Sequence, residues 1–591
     1  MWFPDNLTQL TDNPINGFQI AVWHELFDPY TPDTFQPRLL NSAMLIDELK
    51  DVAERASDAI WEKHIRAIKD ELQVAVHEED DILRQIPAYR WRINSLFKTV
   101  RNAEIILTCS FLQEERRKYE AIVLAGLQES VQMLPKGKAK VLRAIKRLAT
   151  LAIHSGKAVD DFSSIITTDN LTKTKEELAE RLLSETVQKK RFYDCVLVIQ
   201  GGRREVQTVV RKVGFQLRKQ RDIPDEPEGQ ALSERQATNL TPVAVTVEAV
   251  SARDAARDSA KQVRRALDVF NLYSNGNLLE LIGDVYVKGD VDAEHRKINL
   301  SDQALRKLSP RKHNDQLAVK VLNSFSSAKE KERVFNALEL YSLSHGSTAS
   351  RVKLVNLWSA AECLAGLDGA TSVIDRVCRV FAPIIMWRRV EKTVRYLANN
   401  LQLLKESGVT KSLGAGFPSS GKSGIVHVWE TMTTLCKPEN HNDMRQLLEF
   451  SSAHPLLCYR VNSAWKEFHD PKQLQKVLLE SRQRIEWHLT RIYRARNLVI
   501  HNGIEVPTLP ALFDNLHYYF SVTVSRILHA MTVNPEWGLA EAVAHWQAKV
   551  GYVLEMLAES PQMLRISDFF PGDSRSNSSF LWERSTPTHV E

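Results

Sequence analysis

Residues 491–503 read Arg491-Ile-Tyr-Arg-Ala-Arg-Asn-Leu-Val-Ile-His-Asn-Gly503, and this stretch decides how the C-terminal half is read. It ends a helix expected from about Val477. At about 100° per residue, Ile485, Leu489 and Ile492 share one face, and Arg496 falls about 20° from Ile485. Val499 continues the stripe. A guanidinium inside an apolar stripe needs an anion, because an unpaired buried charge is costly. Arg494 falls on the opposite face and is expected in solvent. Asn502-Gly503 is a helix stop, so His501 sits at or just past the helix end. An unbroken helix does not put His501 on the face of Arg496. Helix termination, or a second chain, must bring the two together.

Outward from this stretch, helical periodicity runs from near Leu317 almost to Pro561, with a Gly/Ser-rich loop over 408–424. Before it lies a section of different character. Cys195-Val-Leu-Val-Ile-Gln200 ends at Gly201-Gly202 and predicts a strand and turn. Thr241–Ala249 alternates, with Val243, Val245, Val247 and Ala249 on one face, and predicts a half-buried strand. A helix carrying Ala256, Ala260, Val263 and Leu267 is expected over 252–272, and 223–229 reads as a loop. Farther back, Leu39 to His154 is helical in pattern, with Leu45, Leu49, Val52, Ala56, Ile60 and Ile65 near one stripe and breaks at Pro87 and Pro135-Lys-Gly137. Residues 1–37 are rich in Pro, Asn and Asp and are expected to be irregular. No repeat of solenoid period is present.

The whole chain has 591 residues, 43% hydrophobic and 26% charged, with a formal net charge of +5. This is ordinary globular composition and excludes a fully disordered or collagen-like chain. At this length the charge is close to balanced, so any nucleic-acid footprint must be local. No apolar run reaches the roughly 18 residues that span a bilayer, and the first residues show no secretory signal. No membrane partner is expected. The six cysteines form no C-x-x-C pair, which disfavours zinc ribbons and dithiol redox sites. Scattered thiols fit a reducing, cytoplasmic location.

Arg496-Asn497, three residues, then His501 resembles the R-x(4–6)-H signature of HEPN-domain ribonucleases, including the polar residue they often carry after the arginine. Leu354-Val-Asn-Leu-Trp-Ser-Ala-Ala-Glu362-Cys-Leu364 resembles the earlier helix of that family, which brings an acidic residue toward the Arg/His pair. Helices over 333–344 and 351–364, the helix ending at His501, and a helix over 512–533 resemble its up-down bundle. The strand over 243–249 and the Ala-rich helix after it resemble a module found ahead of this domain in bacterial anti-phage and abortive-infection proteins of the ApeA-like type. The resemblance covers about 325–555, and weakly 240–325. The bare spacing alone is loose: Arg147/His154, Arg306/His313, Arg482/His488 and Arg494/His501 satisfy it too.

The architecture expected is mainly α: an N-terminal helical region over 1–185, a small central α+β module over 186–315, a C-terminal HEPN-like bundle over 316–560 and a disordered tail over 561–591. The resemblance implies a metal-independent endoribonuclease with Arg496, His501, Asn497 and Glu362 as site residues, no cofactor, RNA as substrate and a homodimer that sets two motifs face to face. It also implies a defence or toxin role with a regulatory partner or phage-derived trigger. Histidine suits both proton roles of 2′-hydroxyl attack near neutral pH, and a planar arginine fork suits phosphate oxygens. The alternative is a catalytically inactive HEPN scaffold that binds a protein or nucleic acid, with Arg496 and Glu362 as a buried pair.

Two other features compete. Gly416-Phe-Pro-Ser-Ser-Gly-Lys-Ser423 matches the Walker A pattern, but no buried strand leads into it, so a flexible loop is the better reading. Residues 189–221 hold ten Lys or Arg against two acids, with Phe192, Tyr193 and Phe215 among them. Arg203, Arg204, Arg211 and Lys212, with Arg491 and Arg494, are candidate RNA contacts. A solvated charged face is the plainer reading of that run.

Overall fold

The computed structural model describes residues 14–27, 40–55, 59–134, 136–154, 174–186, 190–218, 240–273, 279–290, 295–298, 331–347, 349–366, 372–406, 428–436, 441–503, 508–570 and 581. It is mostly helical with one small antiparallel sheet. Two compact units are present: Met1–Leu151, Ile166–Leu183 and Lys312–Glu591 form the first, and Ala152–Ile165 with Ser184–Arg311 form the second. No described helix is long and apolar enough to cross a membrane.

The N-terminal helices are α1 (Pro14–Phe27), α2 (Ser42–Arg55), α3 (Ala59–Glu78), α4 (Asp80–Leu83), α5 (Pro87–Leu96), α6 (Asn102–Glu114), α7 (Arg116–Gln132), α8 (Lys138–His154) and α9 (Lys175–Thr186). Pro87 opens α5 at its first position, where a missing N–H costs nothing. Leu45, Leu49, Val52 and Ile65 are buried as their spacing predicts. Helix α1 corrects the expectation of irregular chain over 1–37. Phe18, Ile20, Val22, Trp23 and Leu26 are all buried; burial of this apolar run overrides the turn-like composition around it.

In the second unit, β1 (Arg191–Gln200), α10 (Arg203–Val213), β2 (Gln216–Leu217), β3 (Leu240–Ala249), α11 (Ala252–Tyr273), β4 (Glu280–Gly289) and β5 (Arg296–Ile298) follow in order. The strand order is β2-β3-β1-β4-β5, and every pairing is antiparallel. Strands β3 and β4 therefore run parallel to each other on either side of β1, linked by α11. This is the split βαβ arrangement of a ferredoxin-like unit, with β5 added at one edge. Val243, Val245, Val247 and Ala249 bury one face against Ala256, Ala260, Val263 and Leu267 of α11, as the two periodicities predict. Strands β4 and β5 were not foreseen from the sequence.

The first unit resumes with α12 (Lys331–Gly346), α13 (Ser350–Ala365), α14 (Val373–Glu406), α15 (Val428–Cys436), α16 (His441–Ser451), α17 (Pro455–Phe468), α18 (Pro471–Asn502), α19 (Leu509–Val533), α20 (Leu539–Glu559) and α21 (Ile566–Phe569). Helix α14 is the axis of this part and packs on α13, α17, α18, α19 and α20. Its residues 380–387 are buried all round, which is the pattern of a core helix. Residues 561–570 correct the expected tail: Pro561–Met563 is a 3-10 turn, and Phe569 of α21 stacks on Trp387 at 5.3 Å. Leu581 N–H donates to the Leu564 carbonyl at 3.1 Å. Leu564, Ile566, Phe569 and Phe570 are buried in the core. Residues 416–423 lie outside the described residues. Among the described residues every strand falls between 191 and 298.

Candidate functional site

Helix α18 starts and stops by identifiable chemistry. The Asp470 side chain caps its N-terminus, accepting from Lys472 N–H at 3.0 Å, and Pro471 takes the first helical position. At the other end Gly503 adopts φ 63° and donates its N–H to the Leu498 carbonyl. A residue with a Cβ is strained in that left-handed conformation, which suits a glycine stop. Between these ends Leu474, Leu478, Ile485, Leu489 and Ile492 are buried on one stripe.

Arg496 interrupts that stripe as the spacing predicts, with its side chain 20% exposed. Its Nη1 donates to Asn497 Oδ1 at 3.0 Å. Its Nη2 stands 3.9 Å from Glu362 Oε1, which is an ion-pair distance but too long for a hydrogen bond. Its Nε is buried with no hydrogen-bond partner among the described residues. Glu362 projects from α13 and accepts from Trp358 Nε1, one turn earlier, at 2.6 Å. The fully buried Trp358 packs against Tyr493 of α18, with ring centroids 5.5 Å apart. The fold therefore brings Arg496, Asn497 and Glu362 together across α13 and α18.

His501 lies in the last turn of α18 and is exposed. The helix continues unbroken past it, so the two side chains leave the helix about 140° apart. Among the described residues His501 makes no hydrogen bond or ion pair. The termination at Gly503 does not fold His501 back onto Arg496.

Arg491 and Arg494 correct two expectations. Both are buried, and neither faces solvent. The face of α18 opposite the apolar stripe is covered by α2 and α3, which supply carboxylates. Arg491 Nε donates to Glu48 Oε2 at 2.9 Å and its Nη2 to Glu71 Oε2 at 2.5 Å. Arg494 also donates to Glu48 and is only 7% exposed. Burial acts to raise the Glu48 carboxyl, but Arg491 and Arg494 outweigh it and hold it down to about 2. Burial, helped by the Glu48 charge, raises Glu71 despite Arg491. His64 of α3 adjoins the cluster, and burial, then Arg494, pushes it down to about 4.

In the second unit Arg204 and Arg211 are exposed on α10, seven residues apart and so on one face. The side chains of Arg203 and Lys212 lie outside the described residues. Of the interleaved aromatics, Phe192 is exposed, Tyr193 is buried and Phe215 packs against the sheet core.

One polar cluster was missed in the sequence. Tyr341 Oη lies 2.8 Å from His517 Nε2, and His345 Nδ1 lies 2.7 Å from the Tyr341 carbonyl oxygen. A carbonyl only accepts, so Nδ1 carries the proton and Nε2 is left as an acceptor. That Nε2 is buried without a partner among the described residues. Burial lowers His345 and pushes His517 down to about 4, so both rings are neutral near pH 7. The four-residue spacing of Tyr341 and His345 was visible in the sequence; His517, 176 residues from Tyr341, was not. Among the described residues no group of three or more His, Cys, Asp or Glu is placed to hold a metal ion. Compared with known proteins, the chain matches no family model, no curated protein and no solved structure.

Proposed function

We propose that the chain is a HEPN-type endoribonuclease in which Arg496, Asn497, Glu362 and His501 form half of a composite site. One observation carries this reading. A half-buried arginine keeps an Nη2 with no hydrogen bond and an unpartnered Nε beside an acidic residue, five residues before an exposed histidine on the same helix. In the reaction a 2′-hydroxyl attacks the adjacent phosphorus while a base takes its proton. The P–O5′ bond breaks, and an acid gives the leaving oxygen a proton. The products are a 2′,3′-cyclic phosphate and a 5′-hydroxyl. Arg496 binds the phosphate oxygens and offsets the charge that gathers on them, while Asn497 holds the guanidinium in place.

Each chain offers one histidine of the motif, and that histidine is on a different face from Arg496. Two chains, meeting at the ends of their α18 helices, supply one His501 as base and the other as acid. The chain is accordingly a homodimer when active. An anti-phage, abortive-infection or toxin role rests only on the family resemblance, as does a regulatory partner. The exposed Arg204 and Arg211 are offered as secondary RNA contacts. The test is dilution: cleavage per chain falls as concentration drops through the dimer dissociation range, and mixing excess His501→Ala chains into wild type lowers activity by more than their dilution of it, because each mixed dimer lacks one of the two histidines. A rate per chain that is independent of concentration contradicts the composite site.

A further inference from the structure

Arg496 and Glu362 are close enough to form a bidentate ion pair, and they do not form one. An arginine–carboxylate fork is among the strongest side-chain contacts available, so something must oppose it. The same oxygen, Glu362 Oε1, takes the Trp358 indole N–H at 2.6 Å and stands 3.9 Å from Arg496 Nη2. Trp358 lies four residues before Glu362 on α13, the spacing that stacks two side chains on one helix face. The indole cannot follow the carboxylate toward Arg496. It is fully buried, and Tyr493 of α18 packs against it. Tyr493 lies between Arg491 and Arg494, both anchored to Glu48, and its ring also faces His64 at 6.4 Å.

We infer that Trp358 is a positioning residue, whose indole N–H holds the Glu362 carboxylate back from Arg496 and leaves the guanidinium free to take a phosphate. Asn497 completes the arrangement. It occupies Nη1 with a neutral acceptor, which fixes the fork without neutralising it. The nature of the anion rests on the nuclease reading; the restraint on Glu362 does not.

The test follows Arg496 directly in the full chain. Phenylglyoxal modifies accessible guanidinium groups, and the peptide holding Arg496 is read by mass spectrometry. Trp358→Phe removes the donor, Glu362 closes on Arg496, and labelling slows at least about fivefold, the scale of one new charge-assisted hydrogen bond. Adding Glu362→Gln to that variant returns labelling to the wild-type rate. A purely structural tryptophan gives no such rescue. An unchanged rate in Trp358→Phe, or a slow rate that Glu362→Gln does not restore, overturns the inference. Where circular dichroism shows that Trp358→Phe does not fold, Glu362→Gln alone decides. A carboxylate already held away leaves its labelling within about twofold of wild type, whereas a larger acceleration shows that Glu362 covers Arg496 in the native protein. RNA cleavage by the wild-type chain is measured beside the labelling. Labelling as expected without cleavage upholds the positioning and removes the nuclease reading. Cleavage with labelling indifferent to Trp358 removes the positioning and leaves the nuclease.

Discussion

Helix α18 carries Arg491, Arg494 and Arg496 within six residues, and the fold uses them in two ways. Arg491 and Arg494 are buried against Glu48 and Glu71 of α2 and α3 and donate to their carboxylates, although Arg491 Nη1 is left without a hydrogen-bond partner among the described residues. Arg496, two residues after Arg494, meets a carboxylate just beyond hydrogen-bond range and an amide oxygen. The first pair ties segments far apart in sequence. The second leaves Arg496 Nη2 at 3.9 Å from its carboxylate, without a hydrogen bond. The two environments differ in what else the carboxylate touches: the Glu362 oxygen nearest Arg496 is occupied by an indole N–H.

The largest effect expected from this contrast is on stability. Arg491→Ala leaves Glu48 with Arg494 alone and Glu71 without its bonded arginine, so urea denaturation should show a loss of about 3–5 kcal/mol. Arg496→Ala removes one hydrogen bond from a charged donor to an amide oxygen and a long ion pair, and its loss should stay near about 2 kcal/mol. Equal losses at the two positions break the comparison.

Acid should sharpen it. Burial pushes His64, His454 and His517 from the ordinary 6.5 down to about 4. Between those values the unfolded chain binds protons that the folded chain refuses, so stability falls as pH falls from 6.5 toward 4, by at most about 3 kcal/mol per histidine. Glu48 and Glu391, held down to about 2 by their arginines against burial, contribute stability that is present above pH 4.5. That contribution vanishes as pH drops toward 2. Glu71, raised by burial, works in the opposite direction and recovers some stability on protonation. A urea midpoint that stays fixed from pH 7 to pH 4.5 contradicts this account of the core histidines.

The smallest stability effect belongs to His501. It is exposed at a helix end, and His501→Ala should change stability by no more than about 0.5 kcal/mol. A larger loss means that His501 holds structure, which weakens its case as a free proton carrier.

What the sequence disclosed follows from the range of the forces involved. The stripe Ile485–Leu489–Ile492–Arg496 and the stop at Gly503 are local periodicity and local backbone preference, and both were legible. So were the alternating face of β3 and the Ala-rich face of α11. Arg494 was misplaced because a face opposite an apolar stripe reads as solvent-exposed, and nothing near it in sequence announces Glu48, 446 residues away. Helix α1 was hidden by the composition around it, and β4 by the lack of strict alternation in Glu280–Gly289. The pairing of Glu362 with Arg496 was legible only through the family resemblance. The restraint by Trp358 was not legible, since a tryptophan among the apolar residues of 354–364 reads as one more core side chain.

The most direct test of the central claim is incubation of the purified full-length chain with RNA in EDTA, beside His501→Ala. The account predicts cleavage by the wild-type chain to 2′,3′-cyclic phosphate or its hydrolysed phosphate with a 5′-hydroxyl. It predicts a loss of at least about a hundredfold in the variant, the scale of one proton-transfer group removed. RNA with a 2′-deoxy substitution at the cut site should resist, because the nucleophile is gone, and Arg496→Lys should fail, because an ammonium does not reproduce the fork. Cleavage that requires magnesium, that leaves a 5′-phosphate or that persists in His501→Ala would contradict it.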